Sequence, residues 1–162
     1  VPGYYTDAGL IARQAKALGL SATLLGADGW DSPKLVEIGG DAVEGAYLSN
    51  HYSVDDPSPA VRSFVDTYKA KYEAEPDSIA ALTYDATRLL ADAIARAGST
   101  EGKRIRDALA STKDFAGVTG TITMDADRNP VKPAVILKVE GGRFRFAAAI
   151  TPEGTAAGAP AQ

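Results

Sequence analysis

At 162 residues, 45% of them hydrophobic and 23% charged, the chain is long enough to bury a core and too apolar to be disordered. A net charge of −4 speaks against a nucleic-acid partner, which needs a basic face. The absence of cysteine excludes a disulfide framework, a thiol nucleophile and a cysteine metal site, and no apolar run reaches the ~18–20 residues of a membrane-spanning helix.

Val1-Pro2-Gly3-Tyr4 carries neither the charged nor the apolar region of a signal peptide, so an exported protein would carry its signal upstream or have lost it. After this opening loop, Thr6 or Asp7 is expected to cap a helix over 8–18 that ends at Gly19, with Leu10, Ile11, Ala15 and Leu18 as its apolar stripe. A short strand is expected over 22–25. The loop that follows, 26–32, reads GADGWDS and lies at the C-terminal end of that strand, on the rim where open α/β sheets bind ligands. It holds the sole tryptophan, Trp30, and the carboxylates of Asp28 and Asp31 beside permissive glycines. Ser32 and Pro33 cap and open a short helix stopped by Gly39-Gly40, and 44–50 is the next strand. The alternation implies parallel βα units.

The polar stretch 51–57 leads to Ser58-Pro59, which starts a helix with Val61, Phe64, Val65, Tyr68 and Tyr72 at helical spacing. Pro76 breaks it. A long helix over 78–97, with Leu82, Ala86, Leu89, Leu90 and Ala93 on one face, ends at Gly98. A third helix follows over 101–111, opened by Ser99 or Thr100, with Ile105, Ala108 and Leu109 inward. Strands are expected over 119–124, 133–140 and 143–149. The last two form a hairpin turned by Gly141-Gly142, whose second strand alternates Arg143 and Arg145 with Phe144 and Phe146. The Ala-, Gly- and Pro-rich stretch 151–162 reads as a flexible tail. A βα series opens on a strand, yet this chain opens on the loop after one, and its three consecutive helices need a sheet to cover. Both features lead us to expect a fragment, or one partner of a larger fold.

Four stretches in order, PGYYTDAGLIARQAKALGL, LLGADGWDSPKLVEIGGDAVEGAYLSNHYS, YEAEPDSIAALTYDATRLLADAI and GVTGTITMDADRNPVKPAVILKV, resemble the periplasmic substrate-binding proteins of branched-chain amino-acid ABC transporters, of the type I periplasmic binding fold. The resemblance covers about residues 1–147 and only the C-terminal half of such a protein. It implies an α/β fold of two lobes with the ligand between them. Residues 1–50 and 133–150 would belong to the second lobe and 58–124 to the first. Residues 51–57 and 125–132 would be two of the three hinge crossings, and most of the first lobe's sheet would lie in the N-terminal half.

The resemblance also implies site residues. Tyr4 stands at the family's ligand-contacting tyrosine, where its hydroxyl and ring can both serve, although a packing tyrosine is the plain alternative. Asp28 matches the acidic position of the family's G-[DE]-G loop and would take the ligand's ammonium, against the alternative of a turn aspartate bonding its own backbone. Trp30 would wall the pocket or staple loop to helix. Ile79 and Tyr84 bracket the position from which the first lobe sends an apolar group to the ligand, though core packing is the expectation for both. Asp31 reads as a helix-start charge. The hydroxyls that hold the ligand's carboxylate in the family have no counterpart in this sequence.

Other patterns fail on inspection. Asp125-Ala126-Asp127 begins like a calcium loop, but Pro130 and Ile136 stand where glycine and glutamate are required, so we read a turn between strands. A single histidine, His51, gives no histidine metal cluster. Asp28 and Asp31 share one short loop and would not flank a sugar bond, Gly39-Gly40 ends a helix without a P-loop lysine, and no nucleophile elbow is present. The expected function is therefore a solute-binding protein, not an enzyme, without cofactor, taking an amino acid and presenting it to a membrane permease from the periplasm or another extracytoplasmic space. A ligand-sensing part of a receptor and a non-binding piece needing its N-terminal complement are the rivals. A membrane span or signalling domain in the full gene would favour the first, and self-association of the chain the second.

Overall fold

The computed structural model describes residues 1–152, so most of the tail expectation, residues 153–162, lies outside the described residues. Helix α1 (Tyr5–Ala17) starts at Tyr5, not near Ala8, and Tyr4 is its N-cap in an extended conformation without a side-chain bond. Its C-terminus follows the glycine-stop expectation. Gly19 has φ +78, its N–H donates to the Lys16 carbonyl, and the Leu20 N–H donates to that of Ala15. The expected stripe is wrong. α1 buries Ala8, Gly9 and Ala12, while Leu10, Ile11 and Leu18 are exposed. The reason is close packing on α2 (Pro33–Gly39): a Cβ on Gly9 would sit 2.9 Å from the Ile38 side chain. Small residues make that contact, so counting large apolar residues picks the wrong face.

Strand β1 is Leu25–Gly26, later and shorter than expected, and a 3₁₀ turn, Asp28–Trp30, occupies the middle of the expected loop. Ser32 Oγ accepts from the Lys34 N–H, Pro33 opens α2, and Gly40 at φ +54 closes it. A second 3₁₀ turn, Gly40–Ala42, leads to β2 (Tyr47–Asn50), which pairs with β1 in parallel, Leu25 opposite Tyr47. The hairpin of β6 (Ala134–Glu140) and β7 (Arg143–Ile150) completes a four-stranded sheet in the order β1-β2-β6-β7, with β6 antiparallel to both neighbours. Its turn has Gly141 at φ +60 and Gly142 at φ +71, as a two-residue hairpin requires, and the Glu44 carboxylate accepts from both N–H groups. Ala8, Ala12, Trp30, Leu35, Val43, Ala46, Leu48, Val135, Leu137 and Val139 close one core, and Phe144 and Phe146 pack against it.

The second region holds α3 (Pro59–Tyr72), α4 (Ser78–Ala97) and α5 (Gly102–Ala110). Ser58 caps α3 and Asp77 caps α4, and Gly98 ends α4 at φ +57. Its core is smaller: Tyr52, Val61, Val65, Ala81 and Val118. The expected α4 face also needs correction, since Ala86 and Leu90 are exposed and Asp85 is buried. The Asp85 carboxylate accepts from the Val118 and Thr119 N–H groups at 2.8 and 2.7 Å, beneath the turn between β3 (Phe115–Gly117) and β4 (Gly120–Met124). Strands β3 and β5 (Pro130–Val131) were not expected. They flank β4 in an antiparallel three-stranded sheet. The β4–β5 link is a turn: Asp125 Oδ1 accepts from the Asp127 and Asn129 N–H groups, and Arg128 takes φ +69.

The two stretches joining the regions are tied to each other. The half-buried Lys132 ammonium donates to the carbonyls of His51, at 3.4 Å, and Thr119, at 3.2 Å. Burial pushes this ammonium down from its ordinary range, and the charge of Asp85 opposes the shift.

Candidate ligand-binding site

The rim of the four-stranded sheet carries the candidate site. Tyr4 ends the opening loop just before α1 and is 72% exposed. The 3₁₀ turn bearing Asp28 lies directly against it. A Cβ on Gly29 would stand 2.8 Å from the Gly3 carbonyl and 3.4 Å from the Tyr4 ring, so glycine is what lets the two loops meet. Two residues 24 positions apart in sequence therefore sit on one rim.

Trp30 explains how this turn is held. Its side chain is fully buried in the core, and its indole lies so close to Gly26 that any Cβ there would overlap the ring. The indole anchors the turn from below while the Asp28 carboxylate, 61% exposed, stays above. Of the two expected roles, stapling is the one its burial fits, because the ring has no free surface for a ligand.

Two further residues reach the rim from outside the loop. His51 Nε2 lies 3.4 Å from Asp28 Oδ2. Ser78, the first residue of α4, donates its hydroxyl hydrogen to Asp31 Oδ2 across 47 positions of sequence. Asp31, expected as a simple helix-start charge, thus bridges the two regions. Neither His51 nor Ser78 carries a local signal. Both partnerships arise where the 51–57 stretch and the start of α4 return to the rim.

Ile79 and Tyr84 overturn the expectation of core packing. Ile79 is 70% exposed beside Ser78, an apolar side chain held out at the start of a helix. Tyr84 is 44% exposed, with its ring 5.1 Å from that of Phe64 and the Arg88 guanidinium 5.5 Å from its centre. It lines a separate groove of about 510 Å³ with Phe64, Tyr68 and Tyr72. A wider hollow, about 780 Å³, takes in Asp31, Ser78, Tyr52, Glu75, Arg143 and Arg145 but neither Tyr4 nor Asp28. We place the candidate site at the rim rather than in this hollow, because the loops of Tyr4 and of the exposed Asp28 carboxylate, the two positions that the resemblance implies, meet there through Gly29, and an ammonium needs such a carboxylate.

The fold is mixed α/β in two regions, bridged at the rim by the bond between Ser78 and Asp31. The "Periplasmic binding protein" family matches residues 3–143, and the chain belongs to that family, in its type I form. It is 33% identical, over 126 residues, to the leucine-, isoleucine-, valine-, threonine- and alanine-binding protein of Pseudomonas aeruginosa; the match covers 76% of this chain and 32% of that protein. The leucine-binding protein LivK of Thermotoga maritima superposes with a TM-score of 0.87 at 41% identity, over 95% of this chain and 44% of that one. The branched-chain amino-acid transporter substrate-binding protein LivJ of Streptococcus pneumoniae, solved with isoleucine, gives 0.79 at 38% identity, over 93% and 42%. The chain spans about a third to two fifths of the length of the curated relatives it matches.

Proposed function

We propose that this chain supplies the second-lobe rim and part of the first lobe of an extracytoplasmic solute-binding protein that captures an amino acid for an ABC importer. The observation that carries the reading is the meeting of Tyr4 and Asp28 on one rim, through Gly29. In this reading Asp28 takes the ligand's ammonium, Tyr4 flanks it, and exposed Ile79 offers an apolar surface to its side chain. The ligand's carboxylate is held by hydroxyl and N–H groups of an N-terminal complement. Residues 51–57 and 125–132 are the hinge crossings between 1–50 with 133–150 and 58–124. Similarity to proteins named for binding leucine, isoleucine and valine supports a branched-chain ligand. The role is capture and delivery to a permease, without catalysis.

The aromatic groove of Phe64, Tyr68, Tyr72 and Tyr84 favours the need for a complement, since so much aromatic surface rarely stays open in a self-sufficient domain. Titration calorimetry on the two-lobed protein tests the function. One of L-leucine, L-isoleucine and L-valine should bind, and Asp28→Ala should weaken that binding about 30-fold or more, as loss of one partner in a desolvated charge pair does. Unchanged affinity in the variant would refute the site.

A further inference from the structure

The one histidine of the chain stands where it can act on the proposed ammonium ligand. His51 follows β2, whose last residue, Asn50, is buried, and the Asn50 Oδ1 accepts from the His51 N–H at 2.7 Å. The His51 carbonyl accepts from Lys132 on the other joining stretch. The backbone of His51 is thus fixed from both sides, and its imidazole is left 41% exposed with Nε2 3.4 Å from Asp28 Oδ2. Of the charged groups around His51, Asp28 from the 3₁₀ turn faces its imidazole, and Lys132 from the stretch before β6 faces its backbone carbonyl.

We propose that His51 is a positioning residue for Asp28 that makes amino-acid capture depend on pH. The inference rests on Asp28 being the ammonium ligand. While neutral, the imidazole flanks the carboxylate and leaves its charge to the ligand. Once protonated it becomes a second cation beside the same carboxylate, and the ligand's ammonium must compete with it. Imidazole is in general the side chain whose charge changes between about pH 5 and pH 8, so measurements across that span are the ones that expose the competition. Both side chains are partly exposed, which limits the size of the effect through solvent screening.

Affinity of the two-lobed protein for the best binder among L-leucine, L-isoleucine and L-valine, measured from about pH 8 to about pH 5.5, tests this. The wild type should weaken about 2- to 5-fold toward acid, and His51→Gln should hold its affinity constant. Asp28→Asn should bind weakly at every pH. Matching pH profiles in wild type and His51→Gln overturn the role of His51 alone. Wild-type affinity in Asp28→Asn, or no binding by any of the three amino acids, overturns the underlying site and the proposal with it. A second readout needs no variant. By linkage, ligand binding should move the NMR titration of the His51 ring protons to lower pH, and an unmoved titration on saturation contradicts the proposal.

Discussion

Two regions of this chain are finished to different degrees. Residues 1–50 with 133–150 close a core in which Trp30, Leu35, Val43 and Val139 have no exposed surface. Residues 58–124 bury only small side chains and one carboxylate from their longest helix and none from α5. The first region has its sheet, while the second has three helices and a small three-stranded sheet to one side. The difference teaches which part of the proposed site rests on a closed core. Tyr4 and Asp28 stand on the closed core, whereas Ile79 depends on the position of α4.

The sharpest way to break this comparison is to cut an aromatic from each region. Trp30→Ala should cost about 3–5 kcal/mol, since a fully buried side chain leaves a cavity under the Asp28 turn. Phe64→Ala, which removes a half-buried ring at the edge of a groove, should cost about 1–2 kcal/mol. Urea denaturation gives both values, and equal costs would mean that the second region is packed as tightly as the first.

Much of this contrast was legible in the residues. Ser32-Pro33, Ser58-Pro59 and Gly98 mark helix ends because capping is local chemistry, and the Gly141-Gly142 hairpin is equally local. The buried faces were less legible. On α1 the buried residues are Ala8, Gly9 and Ala12, and on α4 they include Asp85, because close helix contacts and buried hydrogen bonds select residues that a count of large apolar side chains passes over. Strands β3 and β5, three and two residues long, are too short to show a period. For the proposed site, Tyr4 and Asp28 were candidates through family resemblance. The Asp28–His51 and Asp31–Ser78 pairs were not, since each joins segments that only the fold brings together.

The Asp31–Ser78 bond is the direct link between the rim and α4, so removing it tests whether the two regions act together. Asp31→Ala or Ser78→Ala should weaken amino-acid binding about 5-fold while leaving Asp28 in place, the usual worth of one hydrogen bond to a charged group that is partly exposed. Calorimetry of each single variant and of the double variant checks this. If the double variant loses as much as both singles added together, the bond is not the source of the effect.

The smallest effect is expected at Tyr52, in the stretch that joins the regions. Its hydroxyl is buried without a hydrogen-bond partner. Burial, and then the charges of Glu75, Asp31, Asp56 and Asp77, push its ionisation above the ordinary phenol range. Tyr52→Phe should therefore change stability at neutral pH by less than about 1 kcal/mol. The sign at high pH follows from the raised value. The neutral phenol stabilises the fold fully below about pH 10, and that contribution is lost above it as the unfolded chain ionises first. The phenylalanine variant should unfold at a higher pH in an alkaline titration followed by circular dichroism, and an identical midpoint would show that Tyr52 is not what titrates.

The central claim is that the Tyr4–Asp28 rim holds the ammonium end of an amino acid. A crystal structure of the two-lobed protein with whichever of L-leucine, L-isoleucine and L-valine binds tests it most directly. The account predicts the ligand nitrogen at about 3 Å from an Asp28 carboxylate oxygen, with the Tyr4 ring alongside. A ligand bound with its ammonium on another group, and Asp28 facing only solvent and His51, would contradict it.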